Sequence, residues 1–280
     1  MSVVHHDLLS KIVSCVIAST KIKHLYIPNE EVPEIRPNLH LFLYGSIGSF
    51  KSQLCKRMAE KCGVIPINTP TKAVMLGSVD KTDKELIFPE VWDSRNNILV
   101  LDEYYVESHD RPGRKLLNDF LSIMETMEYR KKFGYSITKP IMKKDKYDES
   151  LYLRLTKKGI TSKTRFSFVI NTMIDVDNSD MKEIDALISR CTTLRFFPDR
   201  TEIMNVMRGK SKMFTIEDIK APEQFVVNEE SYNKIMDLVE NSKIPNGLVS
   251  RRIGDLCRYY AVTQKYDEDF FKQILELDEP

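Results

Sequence analysis

Between residues 7 and 25 the apolar positions fall at Leu8, Leu9, Ile12, Val13, Val16 and Ile17, the spacing of one helix face. That spacing predicts a helix. Pro28, Pro33 and Pro37 then punctuate a linker. Leu41-Phe42-Leu43-Tyr44 is a continuous apolar run and predicts a strand over 40–44, after which helical spacing resumes over 52–62. Ala73-Val74-Met75-Leu76 is a second apolar run. Ile98-Leu99-Val100-Leu101 is a third, continuous and β-branched, as expected of a parallel strand buried on both faces.

Over 113–129, Leu116, Leu117, Phe120, Leu121 and Met124 line one helix face. Gly134, Pro140 and Gly159 interrupt the next segment, where short strand-like pieces alternate with lysines. One or two hairpins are expected over 133–160. A strand over 165–170, a helix near 181–190 and a strand over 193–197 follow, and the chain from Asp199 onward reads as mostly helical. Strands alternating with helices predict an α/β fold, a parallel sheet with helices on both faces. The helical tail predicts a smaller companion domain, so the expected division is 1–198 and 199–280.

Composition narrows the class. The 280 residues are 42% hydrophobic and 30% charged, as in soluble globular proteins. No apolar stretch reaches transmembrane length, and the N-terminus lacks the plan of a signal peptide. The five cysteines form no C-x-x-C pair, which argues against zinc or a disulfide framework and for a reducing, cytoplasmic setting. Net charge is only +1, but from Arg130 to Arg165 there are twelve Lys/Arg against three Asp/Glu. Such a block could meet a phosphate backbone, and on charge alone a solvated loop or hairpin carrying lysines for solubility is the favoured reading.

The candidate chemistry follows the first strand. Gly45, Ser46, Ile47, Gly48, Ser49, Phe50, Lys51, Ser52 and Gln53 lie between a strand and a helix, the setting of a phosphate-binding loop. Backbone N–H groups of such a loop wrap phosphates, Lys51 reaches the β/γ-phosphates, Ser52 ligates Mg2+, and the helix aims its positive end at the anion. The usual pattern is G-x-x-x-x-G-K-S/T, and here Phe50 stands in place of the second glycine. The run from Ile98 ends in Asp102-Glu103, as in a Walker B strand. Asp102 is placed to hold Mg2+ through water and Glu103 to polarise the attacking water. Asn171 ends the next strand, where it reaches the γ-phosphate or simply begins a turn. Arg190 closes a helix, and Arg251 shares a helix face with Arg258.

In this order the elements resemble the AAA+ superfamily, and most closely the ATPase module of minichromosome maintenance (MCM) replicative helicases. Loops of that branch read G-D-P-G-x-A-K-S-Q, and Gly45 to Gln53 reads G-S-I-G-S-F-K-S-Q. The approach Arg36 to Gly45 and the segment from Asp110-Arg111 to Met127-Glu128 are also similar. Thr172 stands where the branch has Pro after sensor 1. The resemblance implies an AAA+ core with a helical lid, ATP and Mg2+ as cofactors, and ATP hydrolysis. It makes Asn171 sensor 1, Arg190 an arginine finger and Arg251 a sensor 2 acting in trans. It also implies a homo-oligomer with shared sites, a hexameric ring being the form to expect. The 133–160 segment then occupies the place of a DNA-contacting hairpin, with Lys143, Lys144 and Lys146 at its tip.

The expected function is therefore a DNA-acting ATPase, a helicase or translocase in DNA replication, with DNA and replication proteins as partners and no membrane. A helicase loader or replication initiator, or a protein-remodelling ATPase, would use the same motifs. No oligonucleotide-binding or zinc module precedes the ATPase elements, which directs the expectation toward a small replicon such as a virus or plasmid.

Overall fold

A computed structural model gives the fold and describes residues 6–46, 48–68, 70–79, 86–102, 104, 111–133, 140–172, 182–196, 198, 200–210 and 214–277. Helix α1 (His6–Ser19) is followed by β1 (His24–Tyr26), β2 (Glu34–Ile35) and β3 (Leu41–Gly45). Then come α2 (Lys51–Cys62), the short α3 (Lys72–Leu76), the small hairpin β4 (Ser78–Val79) and β5 (Leu86–Ile87), α4 (Glu90–Asp93) and β6 (Ile98–Leu101). Helix α5 (Arg111–Thr126) leads into β7 (Glu128–Lys132), β8 (Ile141–Lys144), β9 (Tyr152–Thr156) and β10 (Gly159–Lys163). The chain continues through β11 (Ser167–Asn171), α6 (Lys182–Ile188), β12 (Thr192–Phe196), α7 (Arg200–Met207) and β13 (Gln224–Val226). Helices α8 (Glu229–Glu240), α9 (Val249–Thr263) and α10 (Glu268–Glu276) close it.

The central sheet runs β12-β3-β11-β6, and every pair is parallel. Ile67 adds a parallel bridge to Leu101, so the segment after α2 extends the sheet past β6. Strands buried on both sides need apolar residues at every position. Alternation then sends their side chains into two separate cores. Leu41, Leu43, Ile98, Val100, Val169, Leu194 and Phe196 face a core built with α1, α2 and the C-terminal helices. Phe42, Tyr44, Leu99, Leu101, Phe168 and Ile170 face a second core with Phe120, Ile123, Trp92 and the inner side of the β7-β10-β9-β8 sheet.

The first core crosses the 198/199 position expected to divide the chain. Leu9, Ile12 and Val16 of α1 lie in one cluster with Leu256, Tyr259, Phe271 and Ile274. Strand β13 pairs in parallel with β1, joining Gln224–Val226 to His24–Tyr26. The Tyr259 hydroxyl of α9, fully buried, meets the Thr192 hydroxyl of β12 at 2.8 Å.

Several local differences have plain causes. Ala73-Val74-Met75-Leu76 lies in α3, capped where the Thr71 hydroxyl accepts from the Val74 N–H. The helix read through residue 129 ends at Thr126. Met127 takes a left-handed backbone (φ 56) and the chain turns directly into β7. Strand β13 interrupts the tail read as helical. Among the described residues no helix is long and apolar enough to cross a membrane.

Because Thr192 and Tyr259 satisfy each other in the core, Tyr259→Phe should cost about 1–2 kcal/mol. Urea unfolding followed by far-UV circular dichroism and by fluorescence of the single tryptophan, Trp92, should show both transitions moving together. A shift in one signal alone would mean that the C-terminal helices unfold separately from the sheet.

Candidate functional site

The site begins where β3 ends. Phe196 of β12 lies opposite Gly45, and a Cβ on Gly45 would stand 2.0 Å from the Phe196 carbonyl oxygen. Gly45 also has φ +144, so glycine is required here twice over, by space and by backbone. The Ser46 N–H then donates to that same Phe196 carbonyl at 3.1 Å. The loop turns through Gly48 (φ 77) and Phe50 (φ 66) into α2. The position that carries glycine in the usual pattern thus does take a left-handed backbone, and Phe50 holds it at a steric cost of about 1–2 kcal/mol. Ile47 lies outside the described residues.

Lys51 is buried, and its ammonium donates to the Gly45 carbonyl (2.9 Å), the Ser46 carbonyl (2.8 Å) and the Ser49 hydroxyl (3.0 Å). Burial lowers its pKa from the ordinary lysine value, against the pull of Cys55 and Asp102. Ser49 in turn donates to the Ser46 carbonyl at 2.7 Å. The first-turn N–H groups of α2 have no carbonyl partner within the helix, so the loop sets an ammonium and the positive end of a twelve-residue helix side by side.

Asp102 and Asn171 come to the same place from β6 and β11, neighbours in the sheet whose carboxyl ends lie together. The Asn171 side-chain amide donates to an Asp102 carboxylate oxygen at 2.5 Å and to the Ser52 hydroxyl at 3.2 Å. Its own carbonyl oxygen is buried without a hydrogen-bond partner. The Asn171 backbone carbonyl accepts from the Tyr104 N–H at 2.8 Å, while Glu103 lies outside the described residues. Ser52 and Asp102 offer hard oxygen donors on either side of one amide. Such a pair suits Mg2+, which keeps several waters and takes its remaining ligands from phosphates. The same amide explains why Asn171 is held rather than turned outward.

Arg190 and Arg251 are not brought to this loop. Arg190 precedes Thr192, which pairs with Leu41 at the opposite end of β3 from Gly45, so about 13 Å of strand separates the two ends. There the two arginines meet each other. Arg190 donates to the Ala186 carbonyl (2.5 Å) and pairs with Glu125. Arg251 lies 3.7 Å from the same carboxylate and donates to the Ser189 hydroxyl. Burial, then Arg190, lowers the Arg251 pKa.

This edge holds more cations than the motifs indicate. Arg252 is buried against Asp255 (2.5 Å), which also pairs with Arg258 (2.7 Å). Arg258 donates to the Arg36 carbonyl at 2.6 Å. Burial first, then Arg258, brings the Arg36 pKa down to about 9. Arg36 is remote in sequence from the others. The one available signal was the shared helix face of Arg251 and Arg258.

The lysines expected at a hairpin tip are placed unequally. Lys143 lies over the Phe88 ring (3.8 Å), Lys144 pairs with Glu149 (3.0 Å), and Lys146 lies over the exposed Tyr147 ring (5.4 Å). Asp145 fixes the turn by accepting from the Tyr147 and Asp148 N–H groups and from Arg95 Nε at 2.8 Å. No cluster of metal-ligating side chains of three or more His, Cys, Asp or Glu occurs among the described residues. No protein-family model matches this chain, and comparison with curated proteins gives no match.

His40, at the foot of β3, is buried and accepts from the Phe168 N–H through Nδ1 at 3.1 Å. Burial, then Arg36 and Arg258, holds its pKa well below 6.5. The unfolded chain therefore binds a proton near pH 6.5 that the folded chain refuses. Stability should fall as pH drops below that value, by up to roughly 1.4 kcal/mol per pH unit from this group. His40→Gln, which keeps an acceptor, should flatten the slope in urea titrations between pH 7 and 5. An unchanged slope would exonerate His40.

Proposed function

We propose that this chain is an AAA+ ATPase that acts on DNA, closest in plan to the ATPase module of MCM helicases, and that it works as a homo-oligomer. The observation that carries the reading is the convergence of Lys51, Ser52, Asp102 and Asn171 at one end of the parallel sheet, beside a left-handed loop and a helix start. The strand order supports it. In β12-β3-β11-β6, followed by the Ile67 segment, the loop-bearing β3 lies inside the parallel sheet beside the strand that ends in Asn171.

In this reading Lys51 leaves the Gly45 and Ser46 carbonyls to meet the β- and γ-phosphates of ATP. Mg2+, when bound, would supply charge neutralisation to the phosphates. Ser52 and Asp102 would hold it, Asn171 would keep Asp102 aimed and contact the γ-phosphate, and Glu103 would orient the attacking water. Because Arg190 and Arg251 lie at the far edge of their own sheet, they serve the site of a neighbouring copy. Glu125 keeps both arginines together until then. The basic 133–160 segment contacts DNA, and its three expected lysines, Lys143, Lys144 and Lys146, are all exposed. A loader or initiator would share the site but bind a helicase or origin sequence without unwinding, and a protein remodeller would hydrolyse ATP without regard to DNA.

Steady-state ATP hydrolysis tests this, with and without single- and double-stranded DNA at two salt concentrations. DNA should stimulate turnover, and the stimulation should fade as salt rises. Hydrolysis indifferent to DNA would move the function to protein remodelling. Lys51→Ala should abolish turnover, and a wild-type rate in that variant would end the site assignment. Arg190→Ala should lose activity alone and regain part of it when mixed with Glu103→Gln copies, which supply the arginine. No rescue at any ratio would exclude shared sites.

A further inference from the structure

The β7-β10-β9-β8 sheet is antiparallel, and its register decides which side chains share a face. Tyr129, Leu153, Leu155 and Ile160 are buried on the inner face. Lys131 and Lys143 alternate to that side too: Lys131 donates to the Lys72 and Gly77 carbonyls and Lys143 covers Phe88. The outer face carries what remains. One row across the four strands is Met142, Arg154, Thr161 and Arg130. The next is Lys144, Tyr152, Lys163 and Glu128, and Lys132 stands opposite Gly159.

This outer face is cationic. Arg130, Lys132, Lys144 and Arg154 are exposed, and Lys163 is half-buried. Glu128 is the carboxylate of the face, 3.9 Å from Arg130, and Lys144 turns to Glu149 of the following loop at 3.0 Å. Lys132, Arg154 and Lys163 form no ion pair with described residues. Tyr152 sits between Lys144 on one neighbouring strand and Lys163 on the other, at cross-strand distances of about 5 Å between Cβ atoms. Phosphates need cations along a track, and bases need an exposed aromatic face. A duplex hides its base faces, so Tyr152, half-buried among these cations, suits a single strand.

We propose that the outer face of this sheet, rather than its hairpin tip, binds single-stranded DNA. Tyr152 stacks on a base, and Arg130, Lys132, Arg154 and Lys163 meet the backbone phosphates. The proposal rests on the DNA-acting reading and specifies its surface and strand form.

The test is fluorescence anisotropy of the full chain with a labelled oligo(dT) of ~20 nucleotides over a salt series. Arg154→Glu/Lys163→Glu should weaken binding at least tenfold at low salt. It should also reduce the slope of log affinity against log salt by about 1.4, two contacts at roughly 0.7 each. Tyr152→Ala should lose about tenfold and Tyr152→Phe should restore it, which separates stacking from a folding defect. Lys272→Glu, on α10, should bind as wild type. If the double variant binds normally while Lys146→Glu does not, the sheet-face proposal is overturned and the tip is the DNA contact. A tenfold preference for duplex overturns the strand assignment. A wild-type chain that binds no DNA at low salt overturns this proposal together with the DNA reading.

Discussion

At Gly45 the central strand passes so near the end of β12 that any side chain would strike the Phe196 carbonyl. This contact depends on the register that sets Thr192 against Leu41 and Phe196 against Gly45. The same register places β11 on the other side of β3, with Asn171 opposite Leu43. A one-residue slip would reverse every side chain of β3 between the two cores. It would also remove the glycine from the one position where no Cβ fits. The loop geometry, the approach of Asn171 to Ser52 and the division of the cores all follow from that alignment.

The sheet has two chemically distinct ends as a result. At the carboxyl end are the lysine, the hydroxyl, the carboxylate and the amide. At the amino end are arginines held by Glu125 and Asp255. In a parallel sheet every strand contributes to both ends, so residues adjacent in sequence to one strand are delivered to opposite faces of the molecule. A site assembled from both ends cannot close within one copy. That separation gives physical content to the proposal of shared sites.

The central sheet was legible because its strands are apolar throughout. Leu41–Tyr44 and Ile98–Leu101 have no polar position to blur them, and the glycine-bearing turn between strand and helix marks the loop. Asp102 and Asn171 were legible as strand ends, but the Asn171 amide bridging Asp102 and Ser52 is a property of the strand order, which a single sequence does not state. Phe50 illustrates the reverse: sequence shows a missing glycine, and only the backbone shows that the left-handed conformation persists without it. The run Ala73–Leu76 carried no element assignment in the sequence because four apolar residues fit either period. The arginine cluster was hidden because Arg36 joins it from a linker over two hundred residues before Arg258. The lysines of the 133–160 segment were visible as charge, while the sheet register that sorts them into two faces was not.

The pairing of β1 with β13 has a consequence for how the chain is made. Its partners, His24–Tyr26 and Gln224–Val226, stand 200 positions apart in the 280-residue sequence. During synthesis α1 emerges well before the residues that cover it, among them Tyr259, Phe270 and Phe271. The core that α1 shares with the C-terminal helices therefore stays incomplete until translation has passed them, and contacts this distant in sequence form slowly. Through that interval the nascent chain presents a sticky surface to chaperones and to its neighbours on the polysome.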